Sequence, residues 1–484
     1  MKKMLSKPEM RILILLEMIY FEKKISLNRA VKALRIVTRT LELDIQNINS
    51  IIAPISILKT EMNDLILNIP PNYSIEYVYT AMLKNSRHFT VIEKIFFREN
   101  YTIDTLADEL FISTSTLRRT IKHINTTLEK EKILITMNPL KIIGEEYKIC
   151  NLLIYLIAEK YPERDKPFSK IQMKTLDQLF FYIAKKNKVK LNYPDIEKIR
   201  TWTMVSLIRI RHGHFIFPNK DYEIPIDIAP LNDLMLKNLF KQVFRLDLNN
   251  RIIYQLFVVF LNGRYAFSPE HLKQLTETHP EKEILKTEIV TLIKNIALKT
   301  GLHDSNTDNL IVDIYNVSNL QFGKPYILYD KYKHFVNNLQ NRYNRKLIVT
   351  VTNETLLFLK KINVNKLAVN SYMYILFTHW SNLNSLIIRY QPVLNVGIFY
   401  NTDMEHMEMI KNEIVLRFST RFSVEILTNT TIKDFEKSAR HKDLIITNIS
   451  GIEQKTTKVI CFSMYPKNTD WENIYRFYDD FLQN

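Results

Sequence analysis

Thr114, Thr116, Arg118, Arg119, Lys122 and His123 crowd into one short stretch of the 484-residue chain. Their hydroxyls, guanidinium groups, ammonium group and imidazole suit phosphate oxygens and base edges. Arg35, Thr38, Arg39 and Gln46 form a second, weaker set, because Glu42 and Asp44 lie among them. Acids repel phosphate, although a glutamate can accept a hydrogen bond from cytosine N4. A different chemistry is written in His212-Gly213-His214, which follows Arg209 and Arg211. An imidazole beside guanidinium groups could accept or hold a phosphoryl group. Histidines at i and i+2 do not share a helix face, and neither H-E-x-x-H nor a Cys/His ligand spacing occurs, so no metal site is expected. His379, between Thr378 and Trp380, reads as a buried histidine at a helix end. His271, His279, His303 and His334 complete the histidines of the middle region.

Composition excludes several alternatives. Only 7 glycines occur, which disfavours phosphate-cradling loops and a dinucleotide fingerprint, so no cofactor is expected. Cys150 and Cys461 are the only cysteines. Two thiols cannot build a disulfide framework or a four-thiolate zinc site, and both read as small buried residues in a reducing compartment. The net charge of +16 divides into +5 over residues 1–150, +13 over 151–400 and −2 over 401–484. Such a balance suggests an anionic partner, yet the excess sits in the middle, in runs such as Lys185, Lys186, Lys188 and Lys190. The apolar stretch near the N-terminus is interrupted by Glu9, Arg11 and Glu17 and lacks a cleavage site, so it reads as an amphipathic helix. No apolar run reaches the roughly 18 residues of a membrane span, and a cytoplasmic protein is expected.

The donor-rich residues are positioned by an internal repeat. Ser26–Asn49 and Thr102–Asn125 align without gaps at an offset of 76 residues. Identical pairs include Leu34/Leu110, Ile36/Ile112, Leu41/Leu117, Ile45/Ile121, Ile48/Ile124 and Asn49/Asn125. Each copy predicts a short helix, a tight turn and a longer helix. In the second copy the short helix is Ile103–Leu110, Ser113 or Ser115 caps the long one, and that one continues to about Lys130. A preceding helix (Pro8–Phe21, Thr90–Arg98) and a following hairpin (Ile55–Leu58 with Leu65–Ile69, Ile133–Thr136 with Leu140–Ile143) complete each copy. This is a winged helix-turn-helix pattern, in which the second helix enters the major groove of duplex DNA.

From about Asn151 to Arg389 the apolar periodicity is helical, in two blocks divided near His279-Pro280. Beyond Pro392, strands at Val393–Phe399, Phe422–Leu427, Leu444–Thr447 and Val459–Phe462 alternate with helices, which predicts a small α/β domain with a parallel sheet. Its first loop, Tyr400-Asn401-Thr402-Asp403, holds no nucleophile or phosphate cradle. The expected fold is therefore mainly α and multidomain.

In this order the chain resembles the Mga/AtxA-type virulence regulators of Gram-positive bacteria. The resemblance implies two winged helix-turn-helix domains (1–75 and 76–165) and two all-α phosphotransferase-system regulation domains, or PRDs (166–279 and 280–391). It also implies a C-terminal EIIB-like domain (392–484) that mediates dimerisation. It implies a non-enzymatic transcription regulator with duplex DNA, phosphocarriers (HPr/EII), RNA polymerase and a second copy of itself as partners, and no membrane. His212 or His214 in the first regulation domain, with His271 or His279 as competing positions, and His379 in the second would be the phosphorylated residues. The EIIB-like segment lacks the phosphate-carrying cysteine of true EIIB proteins. An RNA-binding antiterminator or a phosphotransferase component is the alternative, but two winged modules are the wrong opening for the first and the missing cysteine argues against the second.

Overall fold

A computed structural model describes residues 1–161, 167–186, 193–216, 233–258, 265–302, 307–319, 325–343, 345–381, 383, 387, 392–429, 431–454 and 456–483. Two compact units result: Met1–Phe267 with Ser318–Asp330, and Ser268–Val317 with Lys331–Asn484.

In the first unit, α1 (Lys7–Glu22) opens with a capping box in which Ser6 and Glu9 each accept from the other's backbone N–H. Two donors that the helix leaves unpaired are thereby satisfied. The ambiguous apolar stretch is this helix, with Leu13, Leu15, Leu16 and Ile19 buried. Next come β1 (Lys24–Ser26), α2 (Leu27–Leu34) and α3 (Thr38–Ile52). The wing is an antiparallel hairpin of β2 (Ser56–Lys59) and β3 (Asp64–Asn68), with Ile57 opposite Leu67. Strand β1 joins the free edge of β3, pairing Ile25 with Leu65. Three residues are too few to display a strand period, so this third strand has no sequence signal.

The second copy consists of α4 (Ile75–Asn85), α5 (Arg87–Phe97), α6 (Ile103–Glu109), α7 (Thr114–Leu128) and a wing of β4 (Leu134–Ile135) and β5 (Ile142–Ile143). The buried stripe of α3, Leu41, Asp44, Ile48 and Ile52, falls on Leu117, Thr120, Ile124 and Leu128 of α7. Gly144 closes the second wing at φ +147°, where an added Cβ would meet the Lys132 carbonyl oxygen at 2.5 Å. Only glycine fits there.

Helices α8 (Glu146–Lys160), α9 (Lys170–Lys186), α10 (Tyr193–Arg211), α11 (Leu234–Phe244) and α12 (Asn250–Phe257) extend the same apolar core. Residues 326–329 return to this unit. Tyr326 and Leu328 are buried in its core, and the backbone N–H groups of Leu328 and Tyr329 donate to the Glu159 carboxylate.

The second unit contains α13 (Pro269–Thr278), α14 (Pro280–Thr300), α15 (Asp308–Asn319, through Val317), α16 (Lys331–Arg342), α17 (Arg345–Lys361) and α18 (Val369–His379). His279 alone separates α13 from α14, and the two helices pack on each other. Proline forces the residue before it out of the helical region, and His279 is accordingly extended (φ −129°, ψ 92°). The step is a sharp turn inside the unit.

A four-stranded parallel sheet follows, built from β6 (Leu394–Phe399), β7 (Phe422–Ile426), β8 (Leu444–Thr447) and β9 (Lys458–Cys461) in the order β7-β6-β8-β9. On one face, Met407, Ile410 and Ile414 of α19 (Met404–Phe418) and Ile474 and Tyr478 of α21 (Asn468–Gln483) pack against the strands. Phe435 of α20 (Ile432–Ala439) covers the other face. Helices on both faces explain why these strands read as continuous apolar runs. Cys150 is buried as expected, whereas Cys461 is exposed, because it ends an edge strand. Among the described residues, no helix is long and apolar enough to cross a membrane.

Candidate nucleic-acid interface

Helix α7 starts at Ser113, whose Oγ accepts from Thr116 N at 3.2 Å. Ser113, and not Ser115, is therefore the cap. The stripe of apolar residues turns inward and leaves Thr114, Arg118, Arg119, Lys122 and His123 exposed. Thr116 is half-buried, with its hydroxyl 2.8 Å from Ser113 Oγ. Arg118, Arg119 and Lys122 make no ion pair among the described residues, so their charges face solvent uncompensated. Between α7 and the wing runs a groove of about 710 Å³, whose lining includes Arg118, Lys122, Lys132, Leu134 and Met137 and one acid, Glu129. The His123 ring meets His88 of α5 edge-on at a centroid distance of 4.9 Å. Burial, the largest influence on His88, lowers its pKa.

The Asn49/Asn125 identity has a structural cause. Asn125 Nδ2 donates to Ile135 O at 2.9 Å, and Ile135 N donates back to Asn125 Oδ1 at 2.8 Å. Asn49 makes the same pair of bonds to Ile57 at 3.0 and 2.8 Å. In each module one amide thus fixes the long helix to the first wing strand.

In the first module, Arg35, Thr38, Arg39 and Gln46 are all exposed. Helix α3 begins at Val37 and has no side-chain cap. Asp44 departs from expectation. It is buried and takes a bidentate contact from Arg11 (2.6 and 3.0 Å), so its charge is neutralised inside the module and does not oppose phosphate. Its place on the buried stripe of α3 is the reason. Glu42 remains exposed, 3.8 Å from Lys59 of the wing.

The histidine region contains what sequence reasoning missed. Arg209 is wholly buried. Its Nε and Nη2 each donate to Glu146 at 2.7 Å, Nη1 donates to Glu99 at 2.7 Å, and Nη2 donates to Ile142 O at 3.2 Å. Glu99 precedes α6, Ile142 lies in the wing and Glu146 begins α8, so α10 holds the second winged module at its base. His214 Nε2 lies 2.7 Å from Glu99 Oε2, and His212 Nδ1 lies 3.9 Å from Glu99 Oε1. Burial is the main cause of a lowered His212 pKa. The i, i+2 spacing does not keep the two rings apart, because Gly213 (φ +83°) ends α10. Bonds from His214 N to Arg209 O and from Gly213 N to Ile210 O make this a Schellman turn. One signal was present in the sequence: an arginine in the apolar run Met204–Ile210 must find buried acidic partners. Nothing local says which.

In the second unit, His379 ends α18 but is exposed, not buried as its sequence context suggested, because its ring turns outward to Asp313, with Nδ1 2.7 Å from Oδ2. His303, Lys188 and Lys190 lie outside the described residues. In the parallel sheet, strand order reverses between β6 and β8, the place where such folds bind ligands. There Asn401 N donates to Asn448 Oδ1 and Asn448 Nδ2 donates to Asn401 Oδ1, at 3.0 and 2.6 Å, tying the two loops together. No group of three or more His, Cys, Asp or Glu residues that could hold a metal occurs among the described residues.

Residues 71–156, the span of the second module from just before α4 into α8, match the Mga helix-turn-helix domain. A Streptococcus pneumoniae serotype 4 protein named as a trans-acting regulator is 25% identical over 94% of both chains. The Bacillus anthracis capsule synthesis positive regulator AcpA is 24% identical over 38% of each chain. The anthrax toxin expression trans-acting positive regulator of Bacillus anthracis is 20% identical over 84% of each chain. The second winged module is thus similar to the Mga helix-turn-helix domain, and the chain over most of its length is similar to trans-acting regulators of Gram-positive bacteria.

Proposed function

We propose that this protein is a transcription regulator that docks on duplex DNA through both winged modules, with α7 as the stronger anchor. The observation that carries this is the outward face of α7: Arg118, Arg119 and Lys122 are exposed and unpaired beside a groove and a clamped wing. Cations in that state gain most from phosphate, and each contact releases counterions. Arg35, Thr38, Arg39 and Gln46 add the second contact, while Thr114, Thr116 and His123 supply further donors.

The regulation domains (166–279 and 280–391) take phosphoryl groups from HPr or EII carriers on His212 or His214 and on His379. The geometry around Glu99 supports a link from that chemistry to DNA. A phosphoryl group carries nearly two negative charges. Placed on His214 Nε2, it would meet Glu99 where a hydrogen bond now sits and drive residues 212–214 off the base of the second module. The α/β domain (392–484) pairs two copies of the chain, and the dimer activates virulence or carbohydrate-responsive genes with RNA polymerase.

Two measurements test this. Arg118→Ala with Arg119→Ala is expected to weaken duplex binding in gel shifts and to flatten its salt dependence; unchanged binding sinks the DNA assignment. Phosphoenolpyruvate with the phosphocarrier should label wild type but label His212→Ala, His214→Ala or His379→Ala less. Equal labelling of all variants rejects these histidines.

A further inference from the structure

Phe111 lies in the turn between α6 and α7, 95% exposed and with φ +52°. Neither property benefits the free protein. An exposed phenyl ring forgoes the stabilisation of burial, and a bulky residue in the left-handed region is strained. Turns of this kind often use glycine, which would remove both penalties. Phe111 also belongs to none of the hydrophobic clusters among the described residues.

The turn itself fixes the backbone. Phe111 N donates to Asp108 O, and Ile112 N donates to Ala107 O. In the first module Arg35 occupies the matching place, 76 residues earlier, with φ +54° and the matching bonds to Lys32 O and Val31 O. Both turns therefore display one side chain to solvent beside the N-terminal end of the long helix. A recognition helix presents that end to base edges. The displayed group in the first module is a guanidinium, which suits phosphate. In the second it is a ring with no hydrogen-bonding atom, and the thymine C5-methyl is the apolar group on the floor of the major groove.

We infer that Phe111 is a base-reading residue that packs against a thymine methyl group and makes the second module prefer a T·A pair at the edge of its site. This rests on the DNA-binding function proposed above.

The test uses the full chain and duplexes selected by it from a random pool. The selected sites should fix thymine at one position. Replacing that thymine with deoxyuridine, which lacks only the methyl group, should weaken wild-type binding about fourfold, the equivalent of about 0.8 kcal/mol for one methyl group. Phe111→Asn places a residue that tolerates positive φ. It should unfold at the same temperature as wild type or higher, bind the selected duplex more weakly, and not distinguish thymine from deoxyuridine. The inference is overturned if Phe111→Asn keeps wild-type affinity and thymine preference while the Arg118→Ala, Arg119→Ala variant loses binding. It is equally overturned if Phe111→Asn binds DNA normally but fails to activate transcription with purified RNA polymerase, because the ring then faces a protein. If the double arginine variant also binds normally, the DNA assignment itself falls.

Discussion

Replacing Arg209 with leucine tests whether α10 supports the second winged module. Four hydrogen bonds disappear together, three of them to carboxylates. Glu99 and Glu146 remain, with side chains only 6% and 11% exposed. Removing one partner of a buried ion pair costs about 3–5 kcal/mol, because the other charge is left uncompensated. A unit of this size shifts by roughly 2–4 °C per kcal/mol, so the expected fall in unfolding temperature is on the order of 10 °C. Scanning calorimetry of the full chain reads it as a displaced transition. Adding Glu99→Gln and Glu146→Gln to Arg209→Leu should recover most of the loss, since the cost lies in bare buried charge and not in the missing guanidinium. A shift smaller than about 2 °C, or a triple variant no more stable than the single one, would refute this reasoning.

Two further outcomes are expected. Burial pushes the Glu159 carboxyl from 4.5 up to about 7, against the pull of the Tyr329 and Leu328 N–H groups toward the charged form. The folded protein then holds this proton more tightly than the unfolded chain. That contribution to stability is complete below about pH 4.5 and is lost as pH rises through 7, so wild type should lose about 3 kcal/mol relative to Glu159→Gln between pH 4.5 and 8; parallel stability curves would reject it. Asn125→Ala removes both bonds to Ile135, at about 1 kcal/mol each. Amide exchange at Ile135 should accelerate by more than tenfold, and unchanged exchange would show that the wing does not depend on this clamp.

Much of the architecture was legible because its signals are short-range. The 76-residue repeat marked both helix-turn-helix units, and the apolar stripe of α7 marked which residues must face outward. Alternation of apolar runs with helical periods likewise marked the parallel sheet, with its four strands within a residue of their observed ends. Strand β1 was illegible because an isolated three-residue strand has no period, and it exists only through β3. Cys461 was misread because burial of a strand end depends on whether the strand has an outer neighbour.

The charged groups divide along the same line. Residue type and helical spacing, which sequence holds completely, determined that Arg118, Arg119 and Lys122 share an outward face. Which acids are neutralised depends on partners far along the chain. Asp44 meets Arg11 33 residues away, and Arg209 meets Glu99 110 residues away. Coulomb attraction and the cost of burying bare charge act through space. Only the folded chain could turn Asp44 from an obstacle to phosphate into an internal ion pair, or seat His212 and His214 around the glutamate at the base of the second module.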